Sequence, residues 1–352
     1  MRFPRRQLEI ASQFREGKSK KTVGCFQMKH NLKITAILLV MFVVTQFIGL
    51  YVVNHYSTTK IVQGQIVDME APNLPFGLET PEEADIKCEI NSWGDFFKCT
   101  EYLYSIIFAF IIAITLLFFL TKFKAEIFLK LWFFLVVMIA MGISFNAVIS
   151  PIKYASVISL IIALPLAFVK IYRREFLVHN LTELVVYPGI AAVFVPILNI
   201  YTIIGLLILI SIYDMWAVWH SGIMQKMAKY QIDKLNIFGG FFVPYADEKT
   251  KKKIKLLKEK MKMKKISKKN AKAKKFKVNV AILGGGDVIF PIIASGVMLK
   301  TLGLIPALLV ILGATLGVSY LFFFAEKKKF YPAMPYISAG IFLGMLVSWI
   351  IF

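Results

Sequence analysis

The chain has 352 residues, is 58% hydrophobic, and carries 42 Lys and Arg against 21 Asp and Glu, a net charge of +21. With a mean hydropathy of +0.67 it has too little polar surface for a soluble domain of this length, and the composition is that of a polytopic membrane protein. The positions of the basic residues, taken up after the spans, exclude nucleic-acid binding as the use of the excess charge.

Residues 1–31 read as a basic, weakly structured cytoplasmic tail, with Cys25 in it as a free thiol. The first apolar run starts near Leu32, is about 22 residues long, and has no small-residue cleavage pattern after it, so it is no signal peptide. Runs of about 17–23 apolar residues predict nine transmembrane helices in an all-α fold. They fall near 32–53, 102–121, 128–150, 154–170, 182–198, 200–219, 278–299, 302–325 and 333–352. The division of 182–219 requires a turn near Pro196–Asn199.

Two hydrophilic segments interrupt this membrane domain. Loop 54–101, between the first two of the six helices in 32–219, is acidic, with Pro72, Pro75 and Pro81 and an aromatic patch at Trp93, Phe96 and Phe97. It is expected to cap the bundle as an ordered lid on the first two spans, with contact to a partner or substrate as the alternative. Cys88 and Cys99 lie in it, and two readings stay open, a disulfide or two free thiols. With no His nearby, they suggest no metal site. Loop 220–277, which ends in a long Lys-rich run, suits a solvated linker before the three helices of 278–352. On either side of the run, Phe241–Tyr245 and Phe276–Ile282 are β-prone. Both become either surface strands or extensions of the adjoining helices.

With the N-terminus in the cytoplasm, only Lys60, Lys87, Lys98, Lys153 and Lys300 of the 42 basic residues fall outside. A missed or extra span would invert this pattern, so the positive-inside rule supports nine spans with an external C-terminus. The Lys-rich loop could also rest on anionic lipid.

Of the acidic residues, Asp214 and Asp287 lie well inside long apolar segments, 197–219 and 278–299. An ionisable group at membrane depth costs about 2.5 kcal/mol or more and marks a functional site by default. From the expected span ends, the two lie roughly 8 Å and 13 Å from the cytoplasmic boundary at 1.5 Å per residue, equal within a turn. Two close carboxylates do not both ionise readily and share a proton. One then serves as general base for a water and the other as general acid, with no metal or other cofactor. Gly284, Gly285 and Gly286 before Asp287 allow close backbone approach, Tyr213 precedes Asp214, and Pro332, Ala333, Met334 and Pro335 form a rigid turn where the last helix opens.

Tyr213-Asp214, Gly284-Gly285-Gly286-Asp287 and Pro332-Ala333-Met334 resemble the YD, GxGD and PAL motifs of the presenilin/signal peptide peptidase family. The nine spans and the long loop between the aspartate helices resemble that family too. The resemblance implies an intramembrane aspartyl protease that hydrolyses peptide bonds within transmembrane-helix substrates. In it Asp214 and Asp287 are the catalytic dyad, and Tyr213, Gly284–Gly286 and Pro332–Pro335 shape the substrate site. Two departures stand out: Gly285 where Leu is usual, and Met334 for the Leu of PAL, a nearly volume-conserving change.

The orientation is that of presenilins, and the modest length suits an archaeal homologue in a cell membrane. A homo-oligomer is compatible with the sequence, and self-cleavage in 220–277 stays open. Prepilin-type peptidases share a GxGD aspartate but not a PAL-like segment. A proton- or ion-coupled transporter is a rival of another class; it would show flux without proteolysis.

Overall fold

A computed structural model describes residues 32–57, 59–62, 65–68, 72–78, 101–122, 126–173, 175–221, 239–245, 279–324 and 331–351. The N-terminal tail, Cys25, Cys88, Cys99, the aromatic patch at 93–97 and the Lys-rich run lie outside the described residues. The helices are α1 (Leu32–Tyr56), α2 (Glu101–Lys122), α3 (Glu126–Ile149), α4 (Ala155–Phe168), α5 (Phe176–Phe194), α6 (Ile200–Trp216), α7 (Gly285–Leu302), α8 (Leu304–Phe324) and α9 (Met334–Ile351). The strands are β1 (Thr59–Val62), β2 (Gln65–Asp68), β3 (Gly240–Tyr245) and β4 (Asn279–Gly284). Eight of the helices are long and apolar enough to cross a membrane. The other, α2, spans 22 residues where the second crossing is expected.

Two expectations move. The seventh span, expected from 278, is helical only from Gly285, because Asn279–Gly284 is extended. Asp287 therefore lies in the first turn of its helix, not nine residues into it. The fifth, expected at 182–198, is α5 at Phe176–Phe194, which draws His179 and Asn180 into the bundle beside Glu183. The loop residues Pro196 and Asn199 follow it, and the Asn199 side chain caps α6 by accepting from the Thr202 amide at 2.8 Å. The turn is where the sequence places it, with the preceding helix shifted towards the N-terminus.

The β-prone segments form strands. β3 and β4 pair antiparallel, with Phe241 opposite Leu283, Phe242 opposite Ile282 and Val243 opposite Ala281. Phe241, Val243, Ala281 and Leu283 are buried, while Ile282 on the other face is exposed, the alternation of a half-buried ribbon. At 276–278 the expected strand lies outside the described residues. β1 and β2 form a hairpin, with β1 against α7. Leu74 of the same loop packs with Tyr56 and Ile143.

Helix α7 is the most enclosed span, 61% buried over its apolar window, and α4 the least at 28%. It touches α1, α5, α6, α8 and α9, so its first turn lies among several helices. Its neighbour α8 packs closely on α9: Cβ atoms added at Gly313 or Gly340 would strike the facing helix backbone. This is the close small-residue contact that membrane helices use where apolar burial against lipid supplies little drive.

Candidate functional site

The turn from β4 into α7 builds one half of the site. Gly284 is the N-cap of α7, with extended φ −64° and ψ 147°. Counting from it, Asp287 is the third helical residue, the position from which a carboxylate reaches back to the N-cap amide. The Gly284 backbone does hydrogen-bond to the Asp287 carboxylate. A Cβ at Gly284 would stand 3.0 Å from Asp287 Oδ2, and one at Gly285 would stand 3.0 Å from the Tyr187 hydroxyl. Each of these two glycines thus answers a close approach. Gly286 differs: it is exposed, and its nearest neighbour would be Phe290 at 3.8 Å. Asp287 is half-buried and follows the exposed Gly286.

The other half comes from α6 and α9. Asp214 lies in the last turn of α6 and is buried. Its Oδ2 accepts from the Met334 amide at 3.1 Å, and the Ala333 amide bonds to the same carboxylate. Met334 is the first residue of α9, whose opening amides have no partner within the helix. Pro332 and Pro335 have no amide to leave unpaired there. Ser211, about one turn before Asp214, donates to Ser338 of α9 at 2.9 Å, which fixes α6 against α9. Helices α6 and α7 touch, with Asp214 at the end of one and Asp287 at the start of the other.

Of the sequence-predicted site residues, Asp214, Asp287, Gly284, Gly285, Gly286, Ala333 and Met334 come together here. Pro332 is buried at the same turn and Pro335 is partly buried. Tyr213 projects outward, 38% exposed, with its ring 6.4 Å from that of Trp216. The Asp214 carboxylate is met by the opening of α9.

A polar cluster on α5, not singled out from the sequence, adjoins this site. The buried Glu183 carboxylate pairs with Lys170 Nζ at 2.8 Å and with His179 Nε2 at 3.4 Å. That His179 nitrogen also lies 3.0 Å from the Gly240 carbonyl. Asn180 donates to the Phe242 carbonyl at 2.9 Å and accepts from the Phe242 amide at 3.1 Å. From α1, Gln46 donates to the Val288 carbonyl at 3.1 Å. The available signal was the i,i+4 spacing of His179 and Glu183, with a lysine near the preceding helix end. Among the described residues, no group of three or more His, Cys, Asp and Glu could hold a metal ion.

The signal-peptide peptidase, presenilin aspartyl protease family matches residues 82–352. Two solved structures are similar in fold, each described as a presenilin family intramembrane aspartate protease. The first, in space group C222, superposes with a TM-score of 0.53 at 17% identity, covering 90% of this chain and 99% of the other. The second, in space group P2, gives a TM-score of 0.52 at 17% identity, covering 90% and 97%. No curated protein matches the sequence. The chain is a multi-pass integral membrane protein that belongs to the signal-peptide peptidase and presenilin aspartyl protease family, an aspartic endopeptidase of the presenilin, intramembrane-cleaving type.

Proposed function

We propose that Asp214 and Asp287 form the catalytic dyad, hydrolysing a peptide bond in a substrate's transmembrane helix through one activated water. The observation that carries this reading is their placement. Asp287 in the first turn of α7 and Asp214 in the last turn of α6 stand on helices that touch, and the Asp214 carboxylate is held by the Met334 amide. With one proton shared between them, one carboxylate takes a proton from the water as it attacks the peptide carbon. The other protonates the carbonyl oxygen as the tetrahedral species forms. The open side of Asp287 at Gly286 is the entry for water and for the substrate backbone.

A helical substrate hides its amides, so the segment to be cut must unwind, and its freed amides then need partners in a medium without water. The β3–β4 ribbon supplies them by strand addition. Its outer edge on β3 is engaged, since Phe242 bonds Asn180 and Gly240 meets His179. Among the described residues the outer edge of β4 is paired with no strand, and β4 runs directly into the turn that carries Asp287. A substrate strand on that edge is delivered to the dyad.

The test is cleavage of a purified single-span substrate in bilayers by wild type, Asp214→Ala and Asp287→Ala. Each variant should lose at least about 100-fold in rate while keeping its thermal transition. Substantial residual cleavage by either one refutes the dyad.

A further inference from the structure

Tyr187 stands one helical turn after Glu183 on α5, on the same face. It is 3% exposed and sits between three parts of the site. Its ring meets Phe241 of β3 edge-on, with centroids 5.6 Å apart at 88°. Its hydroxyl and the adjoining ring edge take the space of a side chain at Gly285, where an added Cβ would lie 3.0 Å from the hydroxyl and 3.2 Å from Cε1. Both Glu183 and Asp287 act on it electrostatically.

The hydroxyl closes no well-aligned hydrogen bond among the described residues, although the Glu183 carboxylate adjoins it. The carboxylate facing it is not free to turn, since Lys170 at 2.8 Å and His179 at 3.4 Å both engage it. The hydroxyl is thus held between a fixed anion and the backbone that leads into Asp287.

We propose that Tyr187 is a positioning residue for Asp287. Its hydroxyl, between Glu183 and Gly285, replaces the side chain missing at Gly285 and fixes the first turn of α7 in the geometry that cleavage needs. Glycine at that position leaves the Tyr187 hydroxyl where it is, whereas an added Cβ would require it to give by a few tenths of an ångström. The inference rests on Asp287 acting in catalysis, as proposed above.

The experiment uses the full chain in bilayers with a single-span substrate and compares Tyr187→Phe, Gly285→Ala and their double variant with Asp214→Ala and Asp287→Ala. Tyr187→Phe keeps the ring packing and removes only the hydroxyl. Its kcat should fall about 10- to 100-fold, the scale of a small misplacement of a reacting group, with KM unchanged and the thermal transition not lowered. Gly285→Ala should lower kcat through the same contact, and the double variant should be no worse than the poorer single variant, since the two act on one contact. A Tyr187→Phe variant with wild-type kcat, beside inactive aspartate variants, overturns the positioning role alone. A fall in kcat matched by a lowered thermal transition and a raised KM also overturns it, in favour of a packing role. Retained activity in Asp287→Ala overturns the dyad and this inference with it.

Discussion

Replacing Ile282 with proline tests the strand-addition step. Phe242 turns both its amide and its carbonyl to Asn180, so its backbone faces away from β4. Ile282 is opposite Phe242 in the register, and in an antiparallel pair its own amide and carbonyl therefore face the outer edge of β4. Proline at 282 removes one outer-edge donor and leaves the β3-facing groups of Ala281 and Leu283 in place. The fold tolerates a proline in this kind of position, since Pro244 stands two residues after Phe242 on β3, where its missing amide would also face outward. The exposed side chain, 48% accessible, makes the loss of packing small. A lost hydrogen bond to substrate is worth about 1 kcal/mol, and a substrate carbonyl left unpaired in lipid costs about 1–3 kcal/mol more. The total, roughly 2–4 kcal/mol, predicts a fall in kcat/KM of about 30- to 1000-fold. The assay is steady-state cleavage of a single-span substrate, with hydrogen exchange of the Phe241 and Val243 amides as the check that the ribbon persists. Ala281→Pro is the contrast, since it should break the ladder and lose that protection. Wild-type cleavage by Ile282→Pro with the ribbon protected would refute strand addition on β4.

Two other perturbations probe the scaffold. Lys170→Met leaves the buried Glu183 carboxylate without its lysine, with His179 at 3.4 Å as the remaining ion-pair partner, and removal of one partner of a buried ion pair costs about 3–5 kcal/mol. The thermal transition should fall sharply and recover most of the loss in Lys170→Met/Glu183→Gln; equal transitions for the two variants would contradict the account. Gly313→Leu forces α8 from α9 at the contact with Gly340, an overpacking of about 1–3 kcal/mol or more. The expected readout is a lower thermal transition with reduced cleavage, because α9 also carries the amide that holds Asp214.

The helices were legible because a membrane span is written in composition: α1, α3 and α8 are predominantly apolar runs whose ends follow roughly from their length. The aspartates were legible because a carboxylate inside such a run has no ordinary reason to be there. Glu183 escaped notice for the complementary reason. It lies beside polar residues, His179, Asn180 and Thr182, so a hydropathy window places the whole group at a span boundary. Its burial depends on the pairing with Lys170, which belongs to the preceding helical segment, and no local pattern encodes that. The start of α7 was misplaced because Asn279–Leu283 is apolar enough to be counted into the span, although Val280 and Ile282 also favour a strand. The choice of strand is made by pairing with β3, far away in the sequence. Tyr213 was drawn inward by its place next to Asp214, but neighbours on a helix point about 100° apart, so a buried Asp214 turns Tyr213 out.

The two motifs that carry the aspartates use one physical device. Asp287 is bonded to the backbone of Gly284, the N-cap of its own helix. Asp214 stands at the far end of its helix, where the dipole of α6 opposes an anion, and takes the first amide of α9 in place of a local partner. Both carboxylates are therefore met by amides at helix N-termini, the groups a helix leaves unpaired and polarised towards negative charge. The Pro-Ala-Met-Pro segment becomes intelligible in these terms. Its prolines stop any earlier helical turn from forming and leave the Ala333 and Met334 amides to face Asp214. Because these donors belong to backbone, substitution of Met334 by Leu should leave them in place, whereas displacement of α9 should not. The Ser211–Ser338 bond and the glycine contact between α8 and α9 hold α9 in that position. The catalytic geometry thus depends on helix packing well beyond the residues that carry the carboxylates.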